Sequence, residues 1–490
     1  MAKTLSELGL TVKAGRDLPI SGLAVDSRKV QENMLFAALP GVNVHGGEFI
    51  QYALRMGATA ILTDRQGAAI AADCIAEYDP AVVIAEDPRQ ALAYAAALWF
   101  GQQPQATVAV TGTNGKTSVT SFTRQIWQLM GYDAINLGTT GVEGDWECPS
   151  PNTTPEPITL HKMLGDAAAA GITHCAMEAS SHGLAQRRMD GVRLVAAGFT
   201  NFTQDHLDYH ATFEDYFAAK AGLFTRILSE DGVAVVNIDD AKGIEVETLC
   251  AERGIDVMRV GRSDAADLRI LGQRFDATGQ DIRVDFVGNI YQLRLNLIGG
   301  FQADNVMAAA GLVMASGGDP EEVFSCLTEL TGVRGRMEHA ATRGNGAAVF
   351  VDYAHTPDAV STAIKALRPH VMGRVVAVIG AGGDRDAGKR ILMGQAAAEH
   401  ADVVFVTDDN PRSEDPAQIR AAIMEGAPNA IEVADRSEAI LRAVDALQAG
   451  DALIVCGKGH ETSQIIGDVT YPFDDVEQAS ISVAALDGAL

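Results

Sequence analysis

Residues 106–122 read ATVAVTGTNGKTSVTSF. A short β-branched run (107–110) enters TGTNGKTS, and a helical pattern over 117–130 leaves it. In such a loop the glycines let backbone N–H groups turn toward phosphate oxygens. Lys116 adds a point charge, Thr117 offers a hydroxyl to Mg2+, and the helix N-terminus favours an anion. The stretch predicts a strand–loop–helix nucleotide cradle and, with it, an α/β domain. Its spacing departs from the standard phosphate loop: Val110 stands where the first glycine would be, and Gly112 follows two residues later. An ordinary glycine-rich turn is the alternative, but such a turn has no use for a lysine followed by two hydroxyl residues.

The alternation continues outward. Strand-like runs occupy 193–199, 233–237, 347–352, 375–379, 402–407 and 452–456. Helical stretches occupy 302–316, 358–368, 388–400, 416–426 and 437–447. Strands alternating with helices imply parallel sheets. The 490 residues make about three domains at roughly 150 residues each. FGQQPQ (100–105) and TGVRGRMEH (331–339) have the polar or Gly/Arg-rich character of connectors. They divide the chain into 1–103, 104–335 and 336–490. The expected architecture is α/β in three domains. The central one is a phosphate-loop domain with a mostly parallel sheet, and the C-terminal one is Rossmann-like.

Composition excludes several classes. Hydrophobic residues make up 47% and charged residues 21%, with 49 glycines and 16 prolines, which is not a disordered, collagen-like or low-complexity profile. No apolar run reaches the roughly 18 residues of a membrane span. MAKTLSELGL lacks the apolar core of a signal peptide, so a cytoplasmic setting is expected. The net charge of −26 opposes nonspecific binding to nucleic acid or anionic membrane. It leaves room for a local basic pocket that takes an anionic small molecule. The six cysteines are far apart and form no CxxC pair, which fits a reducing compartment and argues against a zinc site or disulfide framework.

Two further stretches carry chemistry. ITHCAMEASSHGL (172–184) places Glu178 at the end of a strand-like segment, where a carboxylate can hold Mg2+ directly or through water. FTNFTQDHLDYH (199–210) packs Asp205, His206, Asp208 and His210 into six residues. Taken alone, that cluster suits a metal site and a solvated loop equally.

In this order along the chain, TGTNGKTS, MEASSHGL, NFTQDHLDYH, GRMEH and VDYAHTPDA resemble the motifs of the ATP-dependent Mur ligases of peptidoglycan synthesis. Folylpolyglutamate synthases share the wider superfamily. GGDRD, DDNPR and GKGHE, nearer the C-terminus, resemble the branch that adds meso-2,6-diaminopimelate to UDP-N-acetylmuramoyl-L-alanyl-D-glutamate. The resemblance implies that ATP phosphorylates the side-chain carboxylate of D-Glu and that the incoming amine attacks the acyl phosphate. It implies a catalytic set of Lys116, Glu178, His206 and Lys220. Gly112, Thr113, Asn114, Gly115, Lys116, Thr117 and Ser118 would hold the ATP phosphates, and Asn305, Arg336, Asp352 and His355 the adenine and ribose. Thr117, Glu178 and His206 would serve the Mg2+ sites. Lys220, in YFAAKAGLF (216–224), would carry an N6-carboxyl group as a carbamate, an anion that supports Mg2+; without the resemblance it reads as a solvated helix lysine. Two positions depart from the family pattern. Gln302 stands at the first asparagine of GxFNxxN, and Arg334 replaces the proline of PGRME.

The resemblance also implies a UDP-binding N-terminal domain. AVDSRKV (24–30) and ALPGVNVHGGEFI (38–50) match its uridine-diphosphate segments, with Ser27 and Arg28 as donors and the backbone from Asn43 to Gly46 around the pyrophosphate. NTTP (152–155) and SSHGLAQRR (180–188) match the segments that hold the muramoyl-dipeptide, through Thr153, Thr154, Ser180, Gln186 and Arg188.

The amino-acid site has its own physical argument. Three presumed parallel strands end in GAGGDRDAGKR, DDNPRSE and GKGHE, and ligands of open α/β sheets bind at that carboxyl edge. The crevice would collect Arg385, Asp409, Asn410, Arg412 and Glu461. Diaminopimelate, with two amines and two carboxylates, fits this inventory better than lysine, which lacks the second carboxylate for a forked arginine to grip. By resemblance, Pro411 and Gly457 join the set and Arg412 takes the distal carboxylate. Lys458 and His460 are left without an assigned role, touching phosphate or staying solvated. Asp415 and Pro416 are expected to cap and begin helix 416–426. The expected partners are therefore ATP, Mg2+, the UDP-linked dipeptide and meso-diaminopimelate, acting on a monomer. A lysine-adding ligase, a folate-type glutamate ligase and a non-catalytic ATP-binding regulator are the competing readings.

Overall fold

The computed structural model describes residues 2–12, 16–41, 44–150, 152–203 and 209–488. Among them three main sheets carry the chain, in sequence order. In the first, strands Gly22–Ala24, Met34–Ala37, Ala60–Thr63 and Ala81–Ile84 pair side by side, all parallel. Helix Pro88–Phe100 covers one face, and its Leu92, Ala95 and Ala96 share a core with Leu35 and Leu62.

The second sheet has ten strands, with Ala106–Thr111 near its middle between Ala196–Phe199 and His174–Glu178. All six residues of Ala106–Thr111 are buried, as expected of a strand covered on both faces. Val108 and Val110 pack into one core and Ala109 into the other. Helices Lys116–Leu129 and Phe301–Ala315 contribute to the first core, and Pro157–Ala169 to the second. The alternation of strand and helix predicted parallel pairing, and the sheet is parallel from Asp256–Gly261 through Ala134–Gly138. It is extended by a meander the sequence reading did not place: Leu268–Asp276, Gly279–Phe286 and Asn289–Leu295, antiparallel to one another. Only one face of the meander is buried, by Leu268, Ile270, Ile282, Val284, Leu293 and Leu295.

The third sheet runs Glu338–Thr342, Ala348–Asp352, Ala452–Cys456, Val375–Ile379, Val403–Val406, Ile431–Glu432, and only the first strand is antiparallel. Helix Pro416–Gly426 begins as expected: the Asp415 carboxylate accepts from the Ala417 N–H at 3.0 Å and proline follows. No helix among the described residues is long and apolar enough to cross a membrane.

Parallel pairing decides where the chemistry sits. Glu178 pairs in register with Val110, and Phe199 with Thr111. The loops after three neighbouring strands therefore open at one edge. In the third sheet, Asp352, Cys456, Ile379 and Val406 likewise end together.

Candidate functional site

The phosphate loop is held open by its neighbours. Thr113 N donates to the Asn201 carbonyl and Asn114 N to Asn201 Oδ1, both at 2.9 Å. Thr200 Oγ1 donates to the Asn114 carbonyl at 2.6 Å. Gly112 and Gly115 have φ of +146° and +87°, a region that costs other residues strain. A Cβ at Gly112 would meet Thr200 Oγ1 at 1.9 Å. Helix Lys116–Leu129 starts on Gly115 with no side-chain cap, so its first N–H groups remain available to an anion. The Lys116 ammonium folds back onto the Gly112 and Thr113 carbonyls at 3.0 and 2.8 Å.

Glu178 lies beside this loop, 1% exposed. Its Oε1 accepts from Thr117 Oγ1 at 3.0 Å and Thr139 N at 2.8 Å, and its Oε2 from Thr139 Oγ1 at 3.2 Å. A buried carboxylate among hydroxyls is a hard-oxygen donor set of the kind Mg2+ takes. Among the described residues no group of three or more His, Cys, Asp or Glu side chains is gathered for a metal. His206 and Asn43 lie outside the described residues.

The C-terminal sheet supplies the opposite wall. Arg336 Nη2 donates to Thr117 Oγ1 at 3.1 Å, and its guanidinium lies 4.5 Å over the Tyr353 ring. Asp352 accepts from Met337 N at 2.7 Å and Ala354 N at 2.8 Å. Burial raises its carboxyl above the usual range, against the pull of Arg336. His355 Nδ1 is 2.8 Å from the Tyr353 carbonyl. Asn305 Nδ2 donates to Gln302 Oε1 at 3.0 Å, so the departing Gln302 is buried and braces its neighbour.

Together these groups line a cavity of about 600 Å³. Of the expected phosphate, adenine and ribose residues, Thr113 through Ser118, Asn305, Arg336, Asp352 and His355 line it, whereas Gly112, at the base of the loop, does not. Thr153, Thr154, Ser180 and Arg188 line the same cavity. Arg188 donates to the Thr154 carbonyl at 2.6 Å and to Gln186 Oε1 at 2.8 Å. Lys220, on helix Phe213–Gly222, lines it too and is 1% exposed rather than solvated. Its Nζ donates to the Gly112 carbonyl at 2.7 Å and sits 4.6 Å over the Tyr216 ring. Sequence reasoning missed Thr139, whose signal was a Gly-Thr-Thr turn after a strand, and Tyr353, inside the VDYAHTPDA motif.

Ser27 and Arg28 sit apart on the N-terminal sheet, where Asp26 caps the turn and holds the Arg28 guanidinium at 2.8 and 2.9 Å. The residues expected to form the amino-acid crevice are also outside the cavity. Asp409 and Asn410 are buried, Arg385 is exposed, and Arg412 sits at φ +51° with Nη1 on the Gly383 carbonyl at 2.8 Å. Asn410 Nδ2 donates to Glu461 Oε2 at 2.9 Å. Burial and Asp409 raise the Glu461 carboxyl. Pro411 and Gly457 flank these groups, both buried. His460, 4.9 Å from the Tyr353 ring, is pushed down to about 4 by burial and by Arg336.

Comparison with known proteins covers the whole chain. Residues 19–99 match a Mur ligase family catalytic domain, 110–313 a Mur ligase middle domain and 335–459 a Mur ligase glutamate ligase domain. A UDP-N-acetylmuramoyl-L-alanyl-D-glutamate–2,6-diaminopimelate ligase of Caulobacter vibrioides is 47% identical, over 100% of this chain and 99% of its own. One of the same name from Brucella melitensis is 46% identical over 96% and 95%. A solved structure of an enzyme of that name superposes with a TM-score of 0.73 at 32% identity, covering 99% of both chains. A Mycobacterium tuberculosis folylpolyglutamate synthase complexed with ADP and AMPPCP shares the fold, with a TM-score of 0.64 at 20% identity, over 81% of this chain and 95% of its own. With three domain matches in order and relatives of such identity along its full length, the chain belongs to the Mur ligase family.

Proposed function

We propose that this chain is the ATP-dependent ligase that joins meso-2,6-diaminopimelate to UDP-N-acetylmuramoyl-L-alanyl-D-glutamate. The observation that carries the reading is the single cavity in which the phosphate loop, Glu178 and Arg336 meet the expected dipeptide residues Thr153, Thr154 and Arg188. The identity to relatives that bear this enzyme's name supports it.

The reaction follows from the chemistry of the groups. A carboxylate resists an amine, so its oxygen first takes the γ-phosphoryl group of ATP, leaving ADP. The amine nitrogen then attacks the acyl carbon, inorganic phosphate leaves with the C–O electron pair, and the nitrogen gives up a proton. The loop N–H groups, Lys116 and the helix N-terminus offset charge on the transferring phosphoryl group. Thr117 and Glu178 would hold Mg2+, which neutralises phosphate charge when bound. Arg188, braced by Gln186, would pair with an anionic group of the UDP-linked substrate. We place UDP on residues 1–103, around Ser27, ATP on 104–335, and the amino acid on 336–490.

Lys220 is part of the same proposal. The Lys220 ammonium first loses one proton; carboxylation of the resulting neutral amine by CO2 releases a second, so that a cation at the cavity wall becomes an anion. Its burial against the Gly112 carbonyl supports a role that a solvated lysine would not have. A cytoplasmic reaction is part of the same proposal, supported by the cysteines, all six of them free.

The deciding measurement is product analysis by mass spectrometry after incubation with ATP, Mg2+ and the UDP-linked dipeptide, with meso-diaminopimelate, L-lysine or neither. A tripeptide formed only with diaminopimelate is expected. A lysine product would overturn the reading of the crevice, and no product with either would overturn the proposed reaction. Lys220→Ala should be inactive and partly rescued by short carboxylic acids; wild-type activity in that variant would exclude the carbamate as essential.

A further inference from the structure

Lys458, in the GKGHE loop, is 0% exposed although it is charged and flanked by glycines. Its Nζ donates to Asn410 Oδ1 and to the Ser463 carbonyl, both at 2.8 Å. Asp409 Oδ1 and Glu461 Oε2 lie 3.4 and 3.6 Å away. Burying an ammonium costs several kcal/mol unless it is paired and hydrogen-bonded. Here the pairing is with the residues of the amino-acid crevice.

The contacts fix an orientation. Asn410 Oδ1 accepts from both Lys458 Nζ and Ile465 N, the latter at 3.0 Å. With two donors on its oxygen, the amide must turn its nitrogen away. That nitrogen donates to Glu461 Oε2. Glu461 Oε1 takes no hydrogen bond from the described residues, and is the oxygen left to receive an ammonium. The Ser463 contact also pins the start of hairpin Ser463–Ile466 and Val469–Pro472. That hairpin holds the strained Arg412 backbone on both sides, Arg412 N to Ile465 O at 3.1 Å and Gly467 N to Arg412 O at 2.8 Å.

We infer that Lys458 is a positioning residue for the incoming amino acid: its buried ammonium sets the Asn410 amide, and through it presents one Glu461 oxygen to a substrate ammonium while steadying the Arg412 turn. The inference rests on the proposed function and goes beyond it by assigning a role to a residue that does not itself touch substrate.

The test uses the full-length chain and Lys458→Met, which keeps the volume and removes the donors. Steady-state ligation should show the KM for meso-diaminopimelate raised at least about tenfold, the scale of a lost charged hydrogen bond, with kcat less affected. The KM values for ATP and the UDP-linked dipeptide should stay near wild type. Oxygen-isotope scrambling in ATP, which reports reversible acyl-phosphate formation without the amino acid, should persist. If Lys458→Met does not accumulate folded, Lys458→Gln, which keeps a shorter N–H2 group and loses the charge, is read the same way. An unchanged KM for diaminopimelate in a wild-type-active background overturns the inference alone. Loss of scrambling, or equal rises in all three KM values, overturns it by marking Lys458 as a general support. A wild-type chain that makes no product with diaminopimelate removes both this inference and the reading beneath it.

Discussion

At the scale of single residues, the site is governed by which atoms can donate and which backbone can bend. Every described hydrogen bond to the Glu178 carboxylate comes from a donor: the Thr117 hydroxyl, the Thr139 N–H and the Thr139 hydroxyl. Glu178→Gln would remove the negative charge and oblige the Thr139 hydroxyl to accept from the amide N–H2 instead of donating. Ligation turnover should fall about 100-fold or more, the scale of a lost transition-state electrostatic contact, with unchanged far-UV circular dichroism. Gly112 is constrained sterically, since a Cβ there would meet Thr200 Oγ1 at 1.9 Å. Gly112→Ala should raise the KM for ATP by about tenfold or more, as expected of strain of about 1–3 kcal/mol, while the protein remains folded. Gly112 was legible because a glycine–lysine–hydroxyl loop after a strand has few uses, and Glu178 because a carboxylate ends a strand-like segment within MEASSHGL, one of the ordered motifs. Lys458 was not: a lysine between glycines reads as solvated, and only tertiary burial shows it under Asn410. Thr139 was hidden for the opposite reason, because a threonine after a glycine is too common to signal anything until the fold sets it against Glu178.

At the scale of elements, legibility followed burial. Strands Val375–Ile379 and Ala452–Cys456 are buried at every residue and stand out as continuous apolar runs. The meander Leu268–Phe286 buries one face, and its Arg, Asp and Gln residues mask the pairing. Helix Pro157–Ala169 holds His161, 1% exposed, with neither ring nitrogen hydrogen-bonded among the described residues. Burial pushes it from 6.5 down to about 4. Because the unfolded chain takes up this proton first, the neutral histidine's contribution is complete above pH 6.5 and declines as pH falls toward 4. The loss is about 3 kcal/mol across that window at about 1.4 kcal/mol per unit. Urea denaturation at pH 7.5 and 5 should show a drop that His161→Leu reduces; an equal drop in the variant would exclude His161 as its source. In the third domain, helices Arg436–Asp445 and Asp475–Leu486 are tied by an ion pair with both side chains fully buried, at 2.6 and 2.8 Å. Asp475→Asn should cost about 3–5 kcal/mol by leaving the guanidinium without its counter-charge. The double change Arg436→Met, Asp475→Leu should recover part of that loss in denaturant midpoint.

At the scale of the whole molecule, the arrangement sets a problem of coordination. The acyl phosphate would form in the cavity beside Glu178, whereas Asp409, Asn410, Arg412 and Glu461 stand outside that cavity. The GKGHE loop connects the two regions. Gly459 packs on Tyr353 of the cavity wall, Glu461 reaches Asn410, and the connector's Gly335 lies against both Gly459 and His460. Gly335 has φ +66°, and a Cβ there would meet His460 N at 2.2 Å and Gly459 C at 2.4 Å. The connector and this loop thus pack with no room for a side chain between them, and closure of the third domain over bound nucleotide is expected to carry Glu461 and the Arg412 turn toward the acyl carbon. Domain closure of this kind also excludes water from a reactive intermediate. Small-angle scattering should show a smaller radius of gyration with a non-hydrolysable ATP analogue and the UDP-linked dipeptide than without them. Identical profiles would count against closure. Gly335→Ala should force the connector away from His460, giving an acyl phosphate that water intercepts: ATP hydrolysis should continue while tripeptide falls, raising the ratio of ADP to product above the wild-type value. A variant whose ADP and tripeptide fall in equal proportion would show instead that the connector serves nucleotide binding alone and does not couple the cavity to the amino-acid crevice.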